Sequence, residues 1–174
     1  RYQSDRGLQV ESLAALPLMA AWAVVHEPWS VYLSDFMAVE IHGPGDTALI
    51  AFSSLLTLAA LAAIAVVAVR LWRTGGGADG SSVAWAFLSA ATLLVLANKV
   101  FSPQYVIWLI PAAIAVVALD DGRAARRCAT ALLGAGAVGQ LIYPALYGVV
   151  AAPHTANLAG TALLALRLAL VAVV

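Results

Sequence analysis

Two short polar strings interrupt an otherwise apolar sequence, and their residue types are able to do chemistry. The string NKVFSPQY at 98–105 places a lysine, two amides and a tyrosine between two apolar stretches. The string RGLQVES at 6–12 combines an arginine, an amide and a carboxylate just before another apolar stretch. Arginine can hold a phosphate through two parallel hydrogen bonds, and a glutamate can accept hydrogen bonds from hydroxyl groups. A charged residue in such apolar surroundings is by default a candidate functional residue.

Each string also has a purely structural interpretation. Lys99 would lie near a helix C-terminus with its ammonium reaching towards water, and Tyr105 and Trp108 would be ordinary anchors at the membrane interface. Residues 6–12 would form a solvated loop whose Ser12 caps a helix. The residue types alone leave both interpretations open, and neither string by itself names a reaction.

The rest of the sequence indicates what surrounds these strings. Of the 174 residues, 63% are hydrophobic and 10% are charged, against about 45–50% and about 25% in soluble domains. Several apolar stretches reach the roughly 20 residues that cross a bilayer, so membrane lipids are the expected partners. Nine basic and nine acidic residues balance each other, which gives no indication of nucleic-acid binding.

The predicted fold class is therefore all-α, a multi-pass transmembrane bundle of about five spanning helices. A shorter apolar segment at 12–25 fits a re-entrant or tilted half-helix, because about 14 residues reach only about 21 Å. The chain begins without a methionine and ends inside an apolar run, so we expect 1–174 to be a single transmembrane region of a larger membrane protein. The predicted spans lie at 48–72, 83–101, 102–119, 128–150 and 158–174.

Local signals predict where the middle helices begin. Ser81 or Ser82 is expected to cap the helix that follows the glycine-rich linker at 75–82. Ser102-Pro103 is typical of a helix start, and Pro111 is expected to kink the helix that begins there. The many small residues of 128–150 favour close packing against another helix.

The segment 26–47 is predicted to be a loop, because prolines and glycines interrupt it. Trp29, Tyr32 and Phe36 are spaced to lie along one side of a short interfacial helix flat on the membrane. This segment carries four acidic residues and no lysine or arginine, whereas five arginines flank the connectors at 75–82 and 120–127. Since positive residues stay in the cytoplasm, 26–47, the junction at 98–105 and a turn at 153–157 are predicted to share the extracytoplasmic face.

Three strings resemble glycosyltransferase family 87 in their order and approximate spacing: RGLQVES at 6–12, VEIHGP at 39–44 and NKVFSPQY at 98–105. That family comprises polyprenyl-phosphate-mannose-dependent mannosyltransferases of the GT-C superfamily. The third string is the most specific, and it is also similar to the Asn-Lys-Val, Gln-Tyr and Trp pattern of the first mannosyltransferase of glycosylphosphatidylinositol synthesis. The resemblance covers almost the whole chain and implies a GT-C-like C-terminal half.

The resemblance implies a plasma-membrane enzyme that transfers a sugar, mannose before others, from a polyprenyl phosphate donor to a lipid or glycan acceptor at the extracytoplasmic face. No cofactor other than this donor substrate is implied. In the superfamily an acidic residue of the first extracytoplasmic loop is the general base. That loop would precede Arg1, so no catalytic residue is assigned within this chain.

The resemblance also implies roles for residues of the strings. The donor phosphate would be held by Arg6, Lys99, Gln104 and Tyr105. The sugar or the acceptor would be bound by Gln9, Glu11 and Glu40, with Glu11 favoured among the acidic residues. 

Three further features bear on function. The histidines His26, His42 and His154 lack the local spacing of a metal site, so no metal is predicted. Cys128 has no second cysteine in the chain for a disulfide. Arg167 lies nine residues into the last apolar stretch, where a lipid-facing charge would cost roughly 2.5–3.5 kcal/mol, so it is expected to face protein, water or a lipid phosphate.

Two other functions remain open at this point. A transporter or flippase would also have broken helices with buried polar residues along its substrate path, although no internal repeat supports one. A non-catalytic membrane subunit would need only glycine-rich helix packing and an ordinary loop. The order of the three strings favours the enzyme, through the family resemblance alone.

Overall fold

The structure, a computed structural model, describes residues 6–75, 77, 79–150 and 158–174. The chain is mostly helical, as predicted. A 3₁₀ turn at Leu13–Ala15 precedes the first helix, and a π-helical turn at Leu141–Leu146 joins the fifth to the sixth. The predicted turn at 153–157 lies outside the described residues. The helices are α1 (Leu16–Val24), α2 (Asp46–Arg73), α3 (Gly80–Ala97), α4 (Tyr105–Leu119), α5 (Arg123–Gln140), α6 (Tyr147–Val150) and α7 (Leu158–Val173).

Three helical stretches are long and apolar enough to cross a membrane, namely Asp46–Arg73, Gly80–Ala97 and Arg123–Val150. The helices α4 and α7 are also apolar but have only 15 and 16 residues. The apolar stretch Leu13–Val24 is shorter again, in agreement with the half-helix predicted there. Length and composition thus support three of the five predicted spans.

The surface of α2 is suited to lipid. Its 28 residues would extend over about 42 Å, which exceeds the roughly 30 Å of a bilayer core. Only Asp46, Ser53 and Ala60 of this helix are buried, whereas large apolar side chains such as Leu55 and Leu58 are exposed. An apolar surface of this size is stable among acyl chains and not in water.

The helices α3 and α4 form an antiparallel hairpin. The Trp85 indole near the start of α3 donates a hydrogen bond to Asp120, just after α4, at 2.8 Å. Between these ends, Leu88 of α3 and Leu109 and Val116 of α4 are fully buried in one apolar core. The predicted hairpin is therefore present, with the connection at 98–104 at one end and the charged residues of 120–127 at the other.

Both of the boundaries predicted for α3 are wrong. Asp79, and neither Ser81 nor Ser82, caps α3, because its carboxylate accepts hydrogen bonds from both serine N–H groups. The helix ends at Ala97, four residues earlier than predicted, because the Asn98 side chain accepts from the N–H group of Val100 and turns the backbone away.

The start of α4 also differs from the prediction. The helix begins at Tyr105, because residues 102–105 first form a turn in which Ser102 O accepts from the Tyr105 N–H group at 2.9 Å. The Ser102 hydroxyl donates to the Gln104 side chain at 2.8 Å and does not cap the helix. Pro111 lies inside α4.

The helix α5 packs antiparallel against α7 through small residues. Near one end, Cys128 Sγ lies 3.6 Å from Val174 O. Towards the other end of α5, a Cβ added to Gly134 would lie 3.4 Å from Leu170, and one added to Gly139 would lie 3.8 Å from Arg167. This agrees with the close packing predicted from the small residues of 128–150.

The predicted continuous span 128–150 is interrupted. Tyr143 has non-helical backbone angles, φ −124° and ψ 124°. The physical reason is Pro144, since a proline disfavours the helical conformation of the residue before it and supplies no N–H group to the helix.

A three-stranded antiparallel sheet corrects the all-α fold class. Its strands are β1 (Leu8–Gln9), β2 (Ser30–Leu33) and β3 (Val39–His42), in the order β1-β3-β2. The interfacial helix predicted from Trp29, Tyr32 and Phe36 is therefore wrong. The strand β2 pairs with β3 as a hairpin, and β3 pairs in turn with β1, a non-local contact that a local pattern does not show.

The two faces of the sheet differ in chemistry. Leu8, Val31 and Ile41 face one apolar cluster with Met19 and Trp22 of α1. The register places Gln9 opposite Glu40, and Tyr32 opposite Glu40 on its other side. Because side chains alternate along a strand, these three polar residues share the second face.

The sheet and the α3–α4 connection lie at the same end of the bundle. The Gln9 N–H group donates to Lys99 O at 3.2 Å, and Ser53, near the start of α2, donates to Ala97 O at 2.6 Å. These contacts, together with the β1–β3 pairing, place β3 and the 98–105 junction at one end of the bundle, as expected if both segments share one face of the membrane. Which face is cytoplasmic stays a prediction.

Single cysteines will test that orientation, in a background with Cys128 replaced by alanine. We expect Gly77→Cys and Asp121→Cys to react with an impermeant thiol reagent only after cells are opened, and Asp35→Cys to react in intact cells. All three positions are exposed. Gly122 is avoided because an added Cβ would lie 2.7 Å from Asp120 Oδ1. Labelling of Gly77→Cys or Asp121→Cys in intact cells would contradict the prediction that the connectors at 75–82 and 120–127 are cytoplasmic.

Candidate functional site: a recessed polar junction

The two polar strings, 90 residues apart in sequence, meet in the structure. Lys99 Nζ donates to Arg6 O at 2.5 Å, and the backbone of Lys99 accepts from the Gln9 N–H group. Glu40 joins them through the sheet, where it pairs with Gln9. We call Arg6, Gln9, Glu40 and Lys99 the polar junction. Four of the seven predicted binding residues belong to it.

The Glu40 carboxylate is held in a defined orientation. Its Oε2 accepts from the Gly7 N–H group at 3.1 Å and from the Tyr32 hydroxyl at 3.4 Å. A Cβ on Gly7 would lie 2.5 Å from this oxygen, so only glycine leaves room for the contact. Burial, and then the neighbouring Glu40 carboxylate, raise the pKa of Tyr32. The hydroxyl therefore stays protonated and remains a donor at neutral pH.

Two acceptor atoms of the junction have no hydrogen-bond partner among the described residues. They are Glu40 Oε1 and Gln9 Oε1, on side chains that are 2% and 5% exposed. Buried acceptors are nearly always satisfied by a donor, either from protein, water or a ligand. Because the two residues are directly opposed in the sheet, their oxygens can accept hydrogen bonds from two hydroxyl groups that are close together.

The cationic groups lie around residue 6. The Lys99 ammonium is half-buried and oriented by the Arg6 carbonyl. The Arg6 guanidinium, also half-buried, lies 5.6 Å from the centre of the Phe36 ring, in the turn between β2 and β3. Both cationic residues thus lie next to β1: Lys99 through its backbone contact with Gln9, and Arg6 two residues before the strand begins.

The junction is recessed below the end of α2. Ser53 is seven residues after Asp46, which corresponds to about 10 Å along a helix. The Ser53 hydroxyl donates to Ala97 O, and Ala97 is the last residue of α3. The helix α3 therefore ends at the level of Ser53 along α2, and its end is set back from the start of α2 by about that distance. Lys99, just beyond it, is half-buried, whereas Asn98 and Gln104 are exposed.

Glu11, favoured as a sugar ligand, is paired with Arg167. Its Oε2 lies 2.5 Å from the Arg167 guanidinium, and the two side chains are 1% and 0% exposed. A second guanidinium nitrogen lies 3.5 Å from Glu11 O, and the Tyr147 hydroxyl lies near the carboxylate. The expectation that Arg167 faces protein is confirmed. A role of Glu11 towards sugar stays a prediction.

Gln104 and Tyr105 lie at the start of α4. Gln104 is exposed, and its side-chain oxygen accepts from Ser102. Tyr105 stacks on Trp108 with ring centres 4.4 Å apart and meets Phe101 edge to face at 6.2 Å. These contacts stay within the α3–α4 connection and α4, so the structure does not place either residue in the polar junction.

Neither Tyr32 nor Tyr147 was predicted to lie beside the two glutamates. The alternation of β2 and β3 would have placed Tyr32 beside Glu40 if both strands had been recognised. No local pattern joins Tyr147 to Glu11. His42 is exposed and, when protonated, forms an ion pair with Asp46, which is buried, and His154 lies outside the described residues. In the described part of the chain, no three His, Cys, Asp or Glu side chains are grouped as metal ligands would be.

No protein-family model matches the chain, and searches of curated proteins and of solved structures found no match either. The resemblance to glycosyltransferase family 87 therefore depends on the three strings themselves.

The buried Glu11–Arg167 pair generates a stability prediction. Glu11→Ala or Arg167→Ala should lower the free energy of unfolding by about 3–5 kcal/mol, because each leaves one buried charge without its partner. The double variant Glu11→Leu/Arg167→Met, which removes both charges, should lose much less. Thermal unfolding in detergent, followed by tryptophan fluorescence, measures these changes.

The control is His42→Gln, which changes an exposed side chain and leaves a group that can still donate to Asp46, so stability should change by at most about 1 kcal/mol. Single variants at Glu11 and Arg167 that are no less stable than this control would show that the buried pair does not hold the fold together.

Proposed function

We propose that this chain belongs to a plasma-membrane glycosyltransferase that transfers a sugar, mannose before others, from a polyprenyl phosphate donor to a lipid or glycan acceptor at the extracytoplasmic face. The observation that carries the proposal is the meeting of the two polar strings, through the Lys99–Arg6 and Gln9–Lys99 hydrogen bonds. The strings that resemble family 87 are thus in contact with one another.

The cationic groups support binding of the donor phosphate. A phosphate leaving a sugar carries negative charge, and a positive group stabilises that charge most strongly where water is scarce. Lys99 and Arg6 are both half-buried at the recessed end of the bundle, where such a site is expected. Arg6 can form two parallel hydrogen bonds to a phosphate, and Lys99 supplies a compact charge.

The acceptor atoms support binding of hydroxyl groups. Glu40 Oε1 and Gln9 Oε1 are buried and have no partner among the described residues, and a sugar supplies several hydroxyl donors at short spacing. The Glu40 carboxylate is already fixed by Gly7 and Tyr32, so little conformational entropy would be lost when a hydroxyl binds.

The proposal includes a multi-pass bundle of about five spans. The helix α4 runs along α3, and α7 runs along α5, so the two shorter helices would cross together with their longer partners. Their 15 and 16 residues would extend over about 23 Å, which suits a bundle whose outer end is recessed. The stretch Leu13–Val24 would enter the membrane without crossing it.

Substitution of the cations tests the proposed function. Lys99→Ala and Arg6→Ala should insert normally yet slow sugar transfer by about 10²–10³-fold, because each removes charge stabilisation of the leaving phosphate. Gln104→Ala and Tyr105→Phe should slow it less. The assay is transfer from radiolabelled polyprenyl-phosphate mannose in membranes that contain the full-length protein, with the amount of each variant measured.

Arg127→Ala is the matched control, since Arg127 is an exposed arginine at the opposite end of the bundle, and it should transfer at the wild-type rate. Near-wild-type transfer by both Lys99→Ala and Arg6→Ala would contradict the proposed donor-phosphate site. Lys99 would then be an interfacial anchor. A wild-type protein that moves the lipid-linked sugar across vesicles without forming a glycosylated product would be a transporter.

A further inference from the structure

Arg167, a residue of α7, contacts both polar strings. It is fully buried, and its guanidinium reaches the Glu11 carboxylate and lies near the Glu11 carbonyl. The same guanidinium lies 4.6 Å from the centre of the Phe101 ring. Glu11 belongs to the first string and Phe101 to the third, so one side chain of α7 joins both.

The strings are thus held together at two neighbouring places. Gln9 and Lys99 are in direct contact, and two residues further along each string Arg167 bridges Glu11 and Phe101. Gln9 bonds to the backbone of Lys99, Glu11 follows Gln9 by two residues, and Phe101 follows Lys99 by two. Any displacement of one string relative to the other at the Gln9–Lys99 contact would therefore also change the contacts of Arg167. The polar junction and the Arg167 contacts form one connected unit.

We propose that Arg167, paired with Glu11, is a positioning residue that fixes Gln9 and Lys99 relative to each other and thereby sets the geometry of the polar junction. The role in sugar transfer rests on the proposed function, whereas the effect on Lys99 does not. Arg167 touches neither donor nor acceptor in this arrangement, and it acts through the two strings that it joins.

The shape of the guanidinium, and not only its charge, is what this role requires. A planar guanidinium can bond to a carboxylate along its edge while its face lies on an aromatic ring, whereas an ammonium has neither a fork of donors nor a flat face. If Arg167 only neutralised Glu11, an apolar pair of similar volume would replace both residues without consequence, as it often does for buried ion pairs. The two interpretations differ in what they predict for Glu11→Leu/Arg167→Met.

The rate at which the Lys99 amine is acylated shows whether the polar junction keeps its geometry, and it needs no enzymatic assay. Lys99 is the only lysine in the sequence, it is half-buried, and its ammonium bonds to Arg6 O. An N-hydroxysuccinimide ester, followed by mass spectrometry of the peptide that contains residue 99, measures how accessible this amine is in the full-length protein in detergent.

For Glu11→Leu/Arg167→Met we expect a melting temperature within about 4 °C of wild type, with Lys99 labelled about tenfold faster because the strings separate locally. Transfer should show kcat lowered by about 100-fold, as a displacement of about 1 Å can produce, and KM for the donor nearly unchanged. Arg167→Lys should label Lys99 at an intermediate rate. His42→Gln, which removes an ion pair outside the junction, should behave as wild type.

Wild-type labelling of Lys99 in the double variant would overturn the proposal. If that variant is not recovered folded, Arg167→Lys decides the question, and wild-type labelling there has the same meaning. Faster labelling in a protein whose wild type transfers no sugar would support the positioning role and count against the proposed function. Faster labelling with wild-type kcat would show that the geometry of the junction does not matter for transfer, which overturns the positioning role.

Discussion

The need to neutralise Arg167 inside an apolar bundle determines where the first part of the chain must lie. Arg167 is fully buried in a helix that is otherwise almost entirely apolar, and an unpaired charge there would be very costly. Glu11 supplies the partner. Because β1 ends two residues before Glu11, the strand is drawn into the recessed end of the bundle, and β3 pairs with it there.

A sheet at this place must satisfy the hydrogen bonds of its backbone, since lipid offers none. One edge of β1 pairs with β3, and on its other side the Gln9 N–H group bonds to Lys99 O. The α3–α4 connection thus closes the inner edge of the sheet. The strand β2 forms the outer edge, where Tyr32 and Leu33 are exposed. The polar face of the sheet is therefore close to Lys99 as a result of backbone pairing.

Hydropathy was sufficient to predict the long helices of this chain, because about 20 apolar residues have few other stable arrangements in a membrane protein. The cap formed by Ser12 was also readable, and its hydroxyl does accept from the Ala15 N–H group. The sheet was not predicted because its strands are short, at two to four residues, and because β1 pairs with residues of β3 more than 30 positions away. The Glu11–Arg167 pair joins residues 156 positions apart, so each charge could be noted but the contact could not be predicted.

The polarity of the junction favours a ligand with two chemically different ends. Buried oxygens of Gln9 and Glu40 accept hydrogen bonds and would repel an anion, whereas Lys99 and Arg6 attract one. A phosphate would therefore bind on the side of the cations, and hydroxyl groups would bind on the polar face of the sheet. A sugar phosphate linked to a lipid carries both kinds of group next to each other and has an apolar tail that the bilayer accommodates. Under the proposed function, the side of the sugar that faces Glu40 and Gln9 would be set by the same pairing that holds Lys99 beside Arg6.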